Sequence, residues 1–221
     1  MSCPQMITAC AMRITRNGAT GIPIAPTVAK SRLLYAGFTN LTLSPDVETG
    51  EQIAIKNACG QVCVKRKLPD ELKGFNLTLK FCAWNTLAAE MLVGAPVLLT
   101  TTDVVGQVWP ASNNDTTKST QIELWTVNNA PSGATDPYTQ IVLPKTYNWQ
   151  LAGNLDFTNG AVQLELSGYA ENNPNWAPSI AAEWPDATHV TAIAAGGPFA
   201  WKNATVLPTG LIECDYQAAT V

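Results

Sequence analysis

Few side chains in this sequence are equipped for catalysis. The only histidine is His189, and the chain has no Gly-x-Ser-x-Gly elbow, His-Glu-x-x-His pair or phosphate-binding glycine loop. A serine-hydrolase triad would have to be built around this one imidazole. Glu171, Glu183 and Asp186 lie among tryptophans, and two carboxylates suffice for glycoside hydrolysis. We expect a protein without an active site, with carboxylate-only chemistry as the remaining enzymatic alternative.

Cysteines offer a second kind of chemistry. Cys59 and Cys63 are separated by three residues, a spacing that could hold zinc, but no second pair has similar spacing. In a chain of this length without a visible export signal, we expect the thiols to be reduced and mostly buried as small hydrophobes. No metal or cofactor is predicted. The six cysteines are Cys3, Cys10, Cys59, Cys63, Cys82 and Cys214.

Seven tryptophans admit two interpretations. Trp176, Trp184 and Trp201 could form a platform for sugar rings, as in a carbohydrate-binding module. Alternatively, tryptophans fill cores and subunit interfaces, where they are enriched among the residues that dominate binding. We favour the core and interface interpretation.

The composition indicates a largely neutral surface. Charged residues make up 14% of the 221 residues, well below the roughly 25% of an average soluble domain. Depletion of charge is typical of interface cores. The net charge of −4 argues against a surface that binds nucleic acid tightly. The basic run Lys65-Arg66-Lys67 is predicted to be a solvated loop. No targeting segment or membrane helix is visible, so we expect synthesis in a cytoplasm and no membrane insertion.

Alternation of polar and apolar residues predicts many strands. Leu77, Leu79 and Phe81 alternate with polar neighbours, and so do Leu164 and Leu166. Predicted turns lie at Asn17-Gly18, Ser44-Pro45, Thr49-Gly50, Cys59-Gly60, Pro131-Ser132-Gly133, Asn159-Gly160 and Gly196-Gly197-Pro198. The predicted strands are 9–16, 39–43, 51–56, 61–65, 76–82, 97–102, 121–127, 139–143, 162–167, 190–195 and 211–216.

One short helix is predicted between Asn85, which can cap its start, and Gly94, which can end it. Leu87, Met91 and Leu92 form its apolar stripe. A single helix among so many strands predicts a mainly β fold, a sandwich or barrel with the helix flanking one face. We expect one domain, 1–221, with extended termini and a polar loop near 109–120.

The order of these features resembles the major tail (tail tube) proteins of long non-contractile-tailed phages, particularly those infecting actinobacteria. The resemblance rests on a strand opened by residues 50–53, the turn Asn57-Ala58-Cys59-Gly60, and the strand 76–82 running into a helix that closes at Leu92-Val93-Gly94. It continues through 97–99, 105–106, 168–172 and 189–191. The chain departs from the family in the polar stretch 109–120 and in its six cysteines.

This resemblance implies a β-sandwich with a flanking helix and a structural role in the virion tail. It implies hexameric rings whose inner strands join into a β-barrel around a channel. The rings stack into a tube that conducts DNA, assembled in the host cytoplasm. Further implied partners are the tape measure and tail terminator proteins and transient DNA in the lumen. Two alternatives stay open: another β-rich virion component, such as a capsid decoration or connector protein, and a carbohydrate-binding module.

The segment 44–62 combines turn signals with a strand pattern and is a candidate stacking loop. The chain ends, 1–8 and 215–221, look too sparse to fold alone, so we expect them to become ordered only against another copy. The predicted assembly residues are Pro45, Asp46, Glu48, Gly50, Asn57, Gly60, Met6 and Tyr216.

Overall fold

A computed structural model describes residues 6–24, 28, 31–81, 85–99, 104–109, 118–128, 138–153, 164–176, 197–204 and 207. Within these ranges the chain forms twelve β-strands and one helix, which confirms the mainly β class. The elements are β1 (Met6–Arg16), β2 (Arg32–Tyr35), β3 (Phe38–Glu48), β4 (Gln52–Lys56), β5 (Val62–Lys67), β6 (Glu71–Phe81), α1 (Thr86–Val93), β7 (Val97–Leu99), β8 (Val104–Gln107), β9 (Thr120–Asn128), β10 (Tyr138–Leu151), β11 (Leu164–Glu171) and β12 (Ala200–Ala204).

Eight strands form one antiparallel sheet in the order β2-β1-β9-β10-β11-β6-β3, with β12 also paired to β10. The two ends of this order, β2 and β3, are joined by only Ala36 and Gly37. In a flat sheet, six strand spacings would separate them by about 29 Å. The short link reaches only about 11 Å. The sheet must therefore curl until its two ends approach each other.

Aromatic packing marks the place where the two ends meet. The rings of Tyr35 on β2 and Phe81 on β6 lie 5.7 Å apart between centroids, and Phe38 at the start of β3 joins the same core. Among the described residues, however, β2 and β3 share no hydrogen-bonded ladder. The curled sheet is thus not a closed barrel in the single chain.

The long strand β10 changes partners along one edge. Its first half pairs with β12 and its second half with β11, while β9 lies on its other side. The change of partner falls near Pro144, where the register with β9 shifts. Proline has no backbone N–H to donate, so a central strand tolerates it at such an irregularity.

The concave side of the sheet holds the apolar core, and α1 covers it. Asn85 Oδ1 accepts hydrogen bonds from the backbone N–H groups of Leu87 and Ala88, both at 2.9 Å. Gly94 ends the helix with a φ of 74°, a left-handed conformation that favours glycine. Both predicted caps are confirmed. Among the described residues, no helix has the length and apolar character needed to cross a membrane.

Most predicted strands that fall in the described ranges are confirmed, and Leu77, Leu79, Phe81, Leu164 and Leu166 are buried as expected. The predicted turn at Ser44-Pro45 is wrong, because both residues continue β3 at the edge of the sheet. Three strands were not predicted: β2, β8 and β12. The predicted strands 190–195 and 211–216 and the predicted Asn159-Gly160 turn lie outside the described residues.

Candidate assembly surface

A long hairpin projects from the edge of the curled sheet. The β3–β6 ladder runs to the pair Glu48–Glu71, and the chain continues into a second ladder between β4 and β5. We call residues 46–73 the arm, residues 52–67 its tip, and residues 46–51 with 68–73 its root. Every residue from 51 to 73 is exposed.

The turn of the tip is organised by Asn57. Its Oδ1 accepts hydrogen bonds from the backbone N–H groups of Cys59 at 3.0 Å and Gln61 at 2.9 Å. Gly60 follows with a φ of 80°, which a residue with a Cβ rarely adopts. The predicted turn at Cys59-Gly60 is confirmed, and its geometry follows from a side chain that replaces backbone partners.

Gly50 and Asp70 tie the two strands together in the root. The N–H of Gly50 donates to Asp70 Oδ1 at 2.9 Å, and Lys67 forms an ion pair with the same carboxylate at 3.0 Å. The hydrogen bond from Gly50, assisted by Lys67, lowers the pKa of Asp70. A Cβ at position 50 would lie 2.1 Å from the carbonyl oxygen of Leu68, so only glycine allows this close approach.

The tip has two faces of different chemistry. Ile55 pairs with Val64, and Ile53 lies two residues from Ile55, so these three apolar side chains share one face, which also carries Arg66 opposite Ile53. Lys65 and Lys67 alternate with them and lie on the opposite face. Ile55 is 57% exposed and Val64 is 50% exposed, although both are apolar.

Exposed apolar residues are concentrated in the arm. It carries seven of the thirteen large apolar side chains that are exposed in the described part of the chain. A concentration of exposed apolar side chains of this kind is typical of interaction sites. The seven are Val47, Ile53, Ile55, Val62, Val64, Leu68 and Leu72.

The basic run Lys65-Arg66-Lys67 lies on strand β5, so the prediction of a loop is wrong, while its exposure to solvent is as predicted. Within the described residues, Lys56, Lys65 and Arg66 contact no carboxylate. The tip therefore presents uncompensated positive charge.

One tyrosine connects the root to the sheet, and a second tyrosine packs beside it. Tyr169 on β11 donates to Asp46 Oδ2 at 2.8 Å, and Tyr147 on β10 donates to Glu171 Oε2 at 2.7 Å. Their rings lie 5.8 Å apart in an edge-to-face arrangement, and Lys145 forms an ion pair with Glu171. Burial, followed by the hydrogen bond to Asp46, raises the pKa of Tyr169 to about 12. Burial and Glu171 likewise raise the pKa of Tyr147.

Five of the eight predicted assembly residues lie in the arm. Pro45, one residue before the arm, and Met6, at the start of β1, lie elsewhere on the sheet, and the side chain of Met6 is outside the description. Tyr216 falls outside the described residues. The residues that the structure brings together are Asp46, Glu48, Gly50, Asn57 and Gly60. Their role in assembly stays a prediction.

Sequence reasoning missed the apolar face of the tip. Ile53, Ile55 and Val64 alternate with polar residues in the same way as the core strands do. Such alternation predicts a strand, but it carries no signal that this face lacks a covering layer.

The cysteine prediction is wrong at two positions. Cys59 and Cys63 are both exposed on the arm, and Cys10 is partly buried. Among the described residues, no three histidine, cysteine or acidic side chains lie close enough together to hold a metal ion. Cys3, Cys82 and Cys214 lie outside the described residues.

The burial of Trp176 confirms the favoured core interpretation at this position and excludes it from a sugar platform. This side chain is 1% exposed, and its Nε1 donates to Gln121 Oε1 at 2.9 Å. Trp201 is exposed on β12, and Trp184 lies outside the described residues. Of the three acidic residues considered for glycoside hydrolysis, Glu171 lies within the described residues, where Lys145 and Tyr147 contact its carboxylate.

A cavity of about 310 Å³ lies between the C-terminal end of α1 and the start of β9. The described side chains that line it include a single carboxylate, Glu90, and two cationic groups, Arg16 and Lys118. The lining therefore lacks the paired carboxylates that glycoside hydrolysis requires.

No protein-family model matches the chain, and no curated protein sequence matches it. Among solved structures, the chain is similar to one from the sheath–tube complex of an extracellular contractile injection system in the extended state. The identity is 10%, the coverage is 76% of this chain and 88% of the other, and the TM-score is 0.38. It is also similar to the tube-terminating cap of the anti-feeding prophage, with 9% identity, coverage of 92% and 95%, and a TM-score of 0.38. At that TM-score neither likeness establishes a shared fold.

Proposed function

We propose that this protein is a non-enzymatic structural subunit of a phage tail tube, which assembles with copies of itself through the arm. The observation that carries the proposal is the arm itself, exposed at every residue from 51 to 73 and apolar on one face. The assignment to a phage tail tube comes from the order of features in the sequence, which resembles that of tail tube proteins.

An exposed arm of this kind requires a partner. A lone two-stranded hairpin is at best marginally stable in water, and the tip has no third strand or helix against it among the described residues. Burying Ile53, Ile55 and Val64 would contribute about 1.5–3 kcal/mol for each side chain that becomes fully covered. A second copy of the chain is the partner that is present at equal concentration during assembly.

Open strand edges support the same proposal. The outer edges of β2 and β3 carry backbone groups without a partner strand in the described part of the chain. Such edges attract other strands, and pairing them around a ring removes the exposed edge. A head-to-tail contact with the correct rotation closes into a ring, and stacked rings form a tube. The resemblance to tail tube proteins adds three features to this proposal: hexameric symmetry, a central barrel and passage of DNA.

The experiment that tests the proposal is negative-stain electron microscopy of the purified, untagged protein over a range of concentrations. We expect rings or hollow tubes above a threshold concentration. A variant in which residues 52–67 are replaced by a short turn is expected to remain monomeric while keeping the folded sheet, as judged by circular dichroism. A wild-type chain that stays monomeric at every concentration would overturn the proposal.

A further inference from the structure

The arm is electrically polarised along its length. The tip carries four basic residues and no carboxylate, which gives it a net charge of +4. The root carries five carboxylates and one lysine, which gives it a net charge of −4. The tip residues are Lys56, Lys65, Arg66 and Lys67, and the root residues are Asp46, Glu48, Glu51, Asp70, Glu71 and Lys73.

These opposite charges are only partly neutralised within one chain. Lys67 pairs with Asp70 at the boundary, and Lys73 lies between Glu48 at 2.9 Å and Glu71 at 3.0 Å. One lysine thus serves two root carboxylates. Among the described residues, Glu51 has no cationic partner. The three remaining cations of the tip likewise have no carboxylate partner there.

Distance along the arm separates the outermost tip lysine from the root carboxylates. Lys56 lies five residues beyond Glu51 on a straight strand, a separation of about 17 Å. The Debye length at physiological salt is about 8 Å, so charges this far apart interact weakly through solvent. The unpaired charges of the tip and of the root are therefore available to other molecules, although Arg66 lies diagonally across the ladder from Glu51 on the same face.

Both ends of the arm also expose apolar side chains. The tip offers Ile53, Ile55 and Val64, and the root offers the directly paired Val47 and Leu72. Apolar centres flanked by charged residues are the usual anatomy of a protein interface. The tip and the root therefore match each other in charge and in apolar character.

We infer that the tip of one arm docks on the root of the arm of a second copy, so that each chain gives one tip and receives another. This inference rests on the proposed function and specifies the partner surface of that same site. We assign a copy of this chain as the occupant of the root. Within the described part of the chain, the tip is the segment that combines basic residues with exposed apolar side chains. Complementary charges across such an interface set register and partner choice more than affinity.

Charge reversal tests the inference. The tip-reversed variant carries Lys65→Glu and Arg66→Glu, and the root-reversed variant carries Glu48→Lys and Glu51→Lys. Each variant alone places like charges opposite each other, and the threshold concentration for assembly, measured by light scattering and sedimentation, is expected to rise about tenfold or more. The variant that carries all four substitutions restores opposite charges, and its threshold is expected to return close to the wild-type value.

Mixing provides an independent readout. Tip-reversed and root-reversed chains, each impaired alone, are expected to co-assemble when combined, because the glutamates introduced in the tip of one chain fit the lysines introduced in the root of the other. A control with Gln150→Glu and Asn203→Glu adds negative charge at two exposed positions outside the arm, and we expect its threshold to stay near the wild-type value. Circular dichroism of each variant checks that the sheet is folded.

The outcomes separate the inference from the proposed function. If wild-type protein never assembles, the proposed function fails. If it assembles but the reversals leave the threshold unchanged, or if neither the fourfold variant nor the mixture recovers assembly, only the tip-to-root contact is wrong. A control variant that is impaired as strongly as the tip-reversed variant would also overturn it, since total charge would then explain the effect.

Discussion

The phenol of Tyr169 donates a hydrogen bond to the carboxylate of Asp46 across an intervening strand. Tyr169 lies on β11 and Asp46 on β3, with β6 between them, and the hydrogen bond is 2.8 Å long. The side chain passes over Gly74, the one residue of β6 that pairs with Asp46. This contact fixes the direction in which the root of the arm leaves the sheet.

Gly74→Ala is expected to destabilise the folded chain. A Cβ at this position would lie 2.2 Å from the carbonyl oxygen of Ala170 and 2.8 Å from the hydroxyl of Tyr169. Because the closer atom belongs to the backbone, relief requires the strand to shift, and we expect a loss of about 1–3 kcal/mol in the free energy of unfolding. Urea denaturation measures it. Gly106→Ala is the matched control, since its new Cβ would meet only the side chain of Leu98 at an ordinary 3.6 Å.

Tyr169→Phe is expected to cost about 1 kcal/mol of stability at neutral pH, the net value of a typical hydrogen bond. The pKa of Tyr169 is raised to about 12 in the folded chain, above the value of 10 expected when unfolded. A raised pKa means that the contribution is complete below pH 10 and is lost as the pH rises through 12. The stability difference between wild type and variant should therefore shrink over that interval. A difference that stays constant to pH 12 would contradict the assignment of the hydrogen bond.

Replacing the apolar face of the tip is expected to prevent assembly without unfolding the monomer. In Ile55→Thr with Val64→Thr, both positions keep β-branched side chains that suit strands, and both residues are exposed. The free energy of unfolding should change by less than about 0.5 kcal/mol for each site. Size-exclusion chromatography should show the loss of large species. Gln52→Thr with Ala54→Thr alters the opposite face to a similar extent, and it should assemble; equal impairment of both variants would refute a specific role for the apolar face.

The two thiols of the arm provide a probe of burial on assembly. Cys59 and Cys63 are exposed, whereas burial raises the pKa of the Cys10 thiol and should slow its reaction, because the thiolate is the reactive form. In monomeric protein, Cys59→Ser with Cys63→Ser should remove two equivalents of fast-reacting thiol. In assembled protein, those two equivalents should react more slowly. Equal rates in monomer and assembly would place the tip outside the contact.

The sequence predicted those elements in which burial follows a regular period. Leu77, Leu79 and Phe81 lie on one buried face, so alternation located β6, and Asn85 and Gly94 marked the ends of α1 through their capping chemistry. In β2 every residue is buried, so no alternation revealed it. Pro45 indicated a turn because proline lacks an N–H, yet an edge strand tolerates it where only one side is paired.

The candidate site was predictable as a segment but not as a surface. Gly50, Asn57 and Gly60 have local roles in turns, and turn chemistry can be read from neighbouring residues. Whether Ile55 faces a core or solvent depends on what packs against the hairpin, which is a property of the whole fold. The burial of Trp176 likewise depends on Gln121, 55 positions away.

The separation between β1 and its partner β9 also has a consequence for biosynthesis. Arg13 and Glu123 form a buried ion pair, and they are 110 positions apart. At a translation rate of about 5–20 residues per second, β1 waits about 5–20 s for its partner strand to be made. The β3–β6 hairpin, complete by residue 81, is local and can form within microseconds of its emergence from the ribosome. The arm, with its exposed apolar residues, is therefore complete before the sheet that carries it. On one messenger, neighbouring ribosomes hold two such arms close together before either sheet has folded. Control over when chains meet, by a chaperone or by spacing of translation, would then be as important to correct assembly as the contacts themselves.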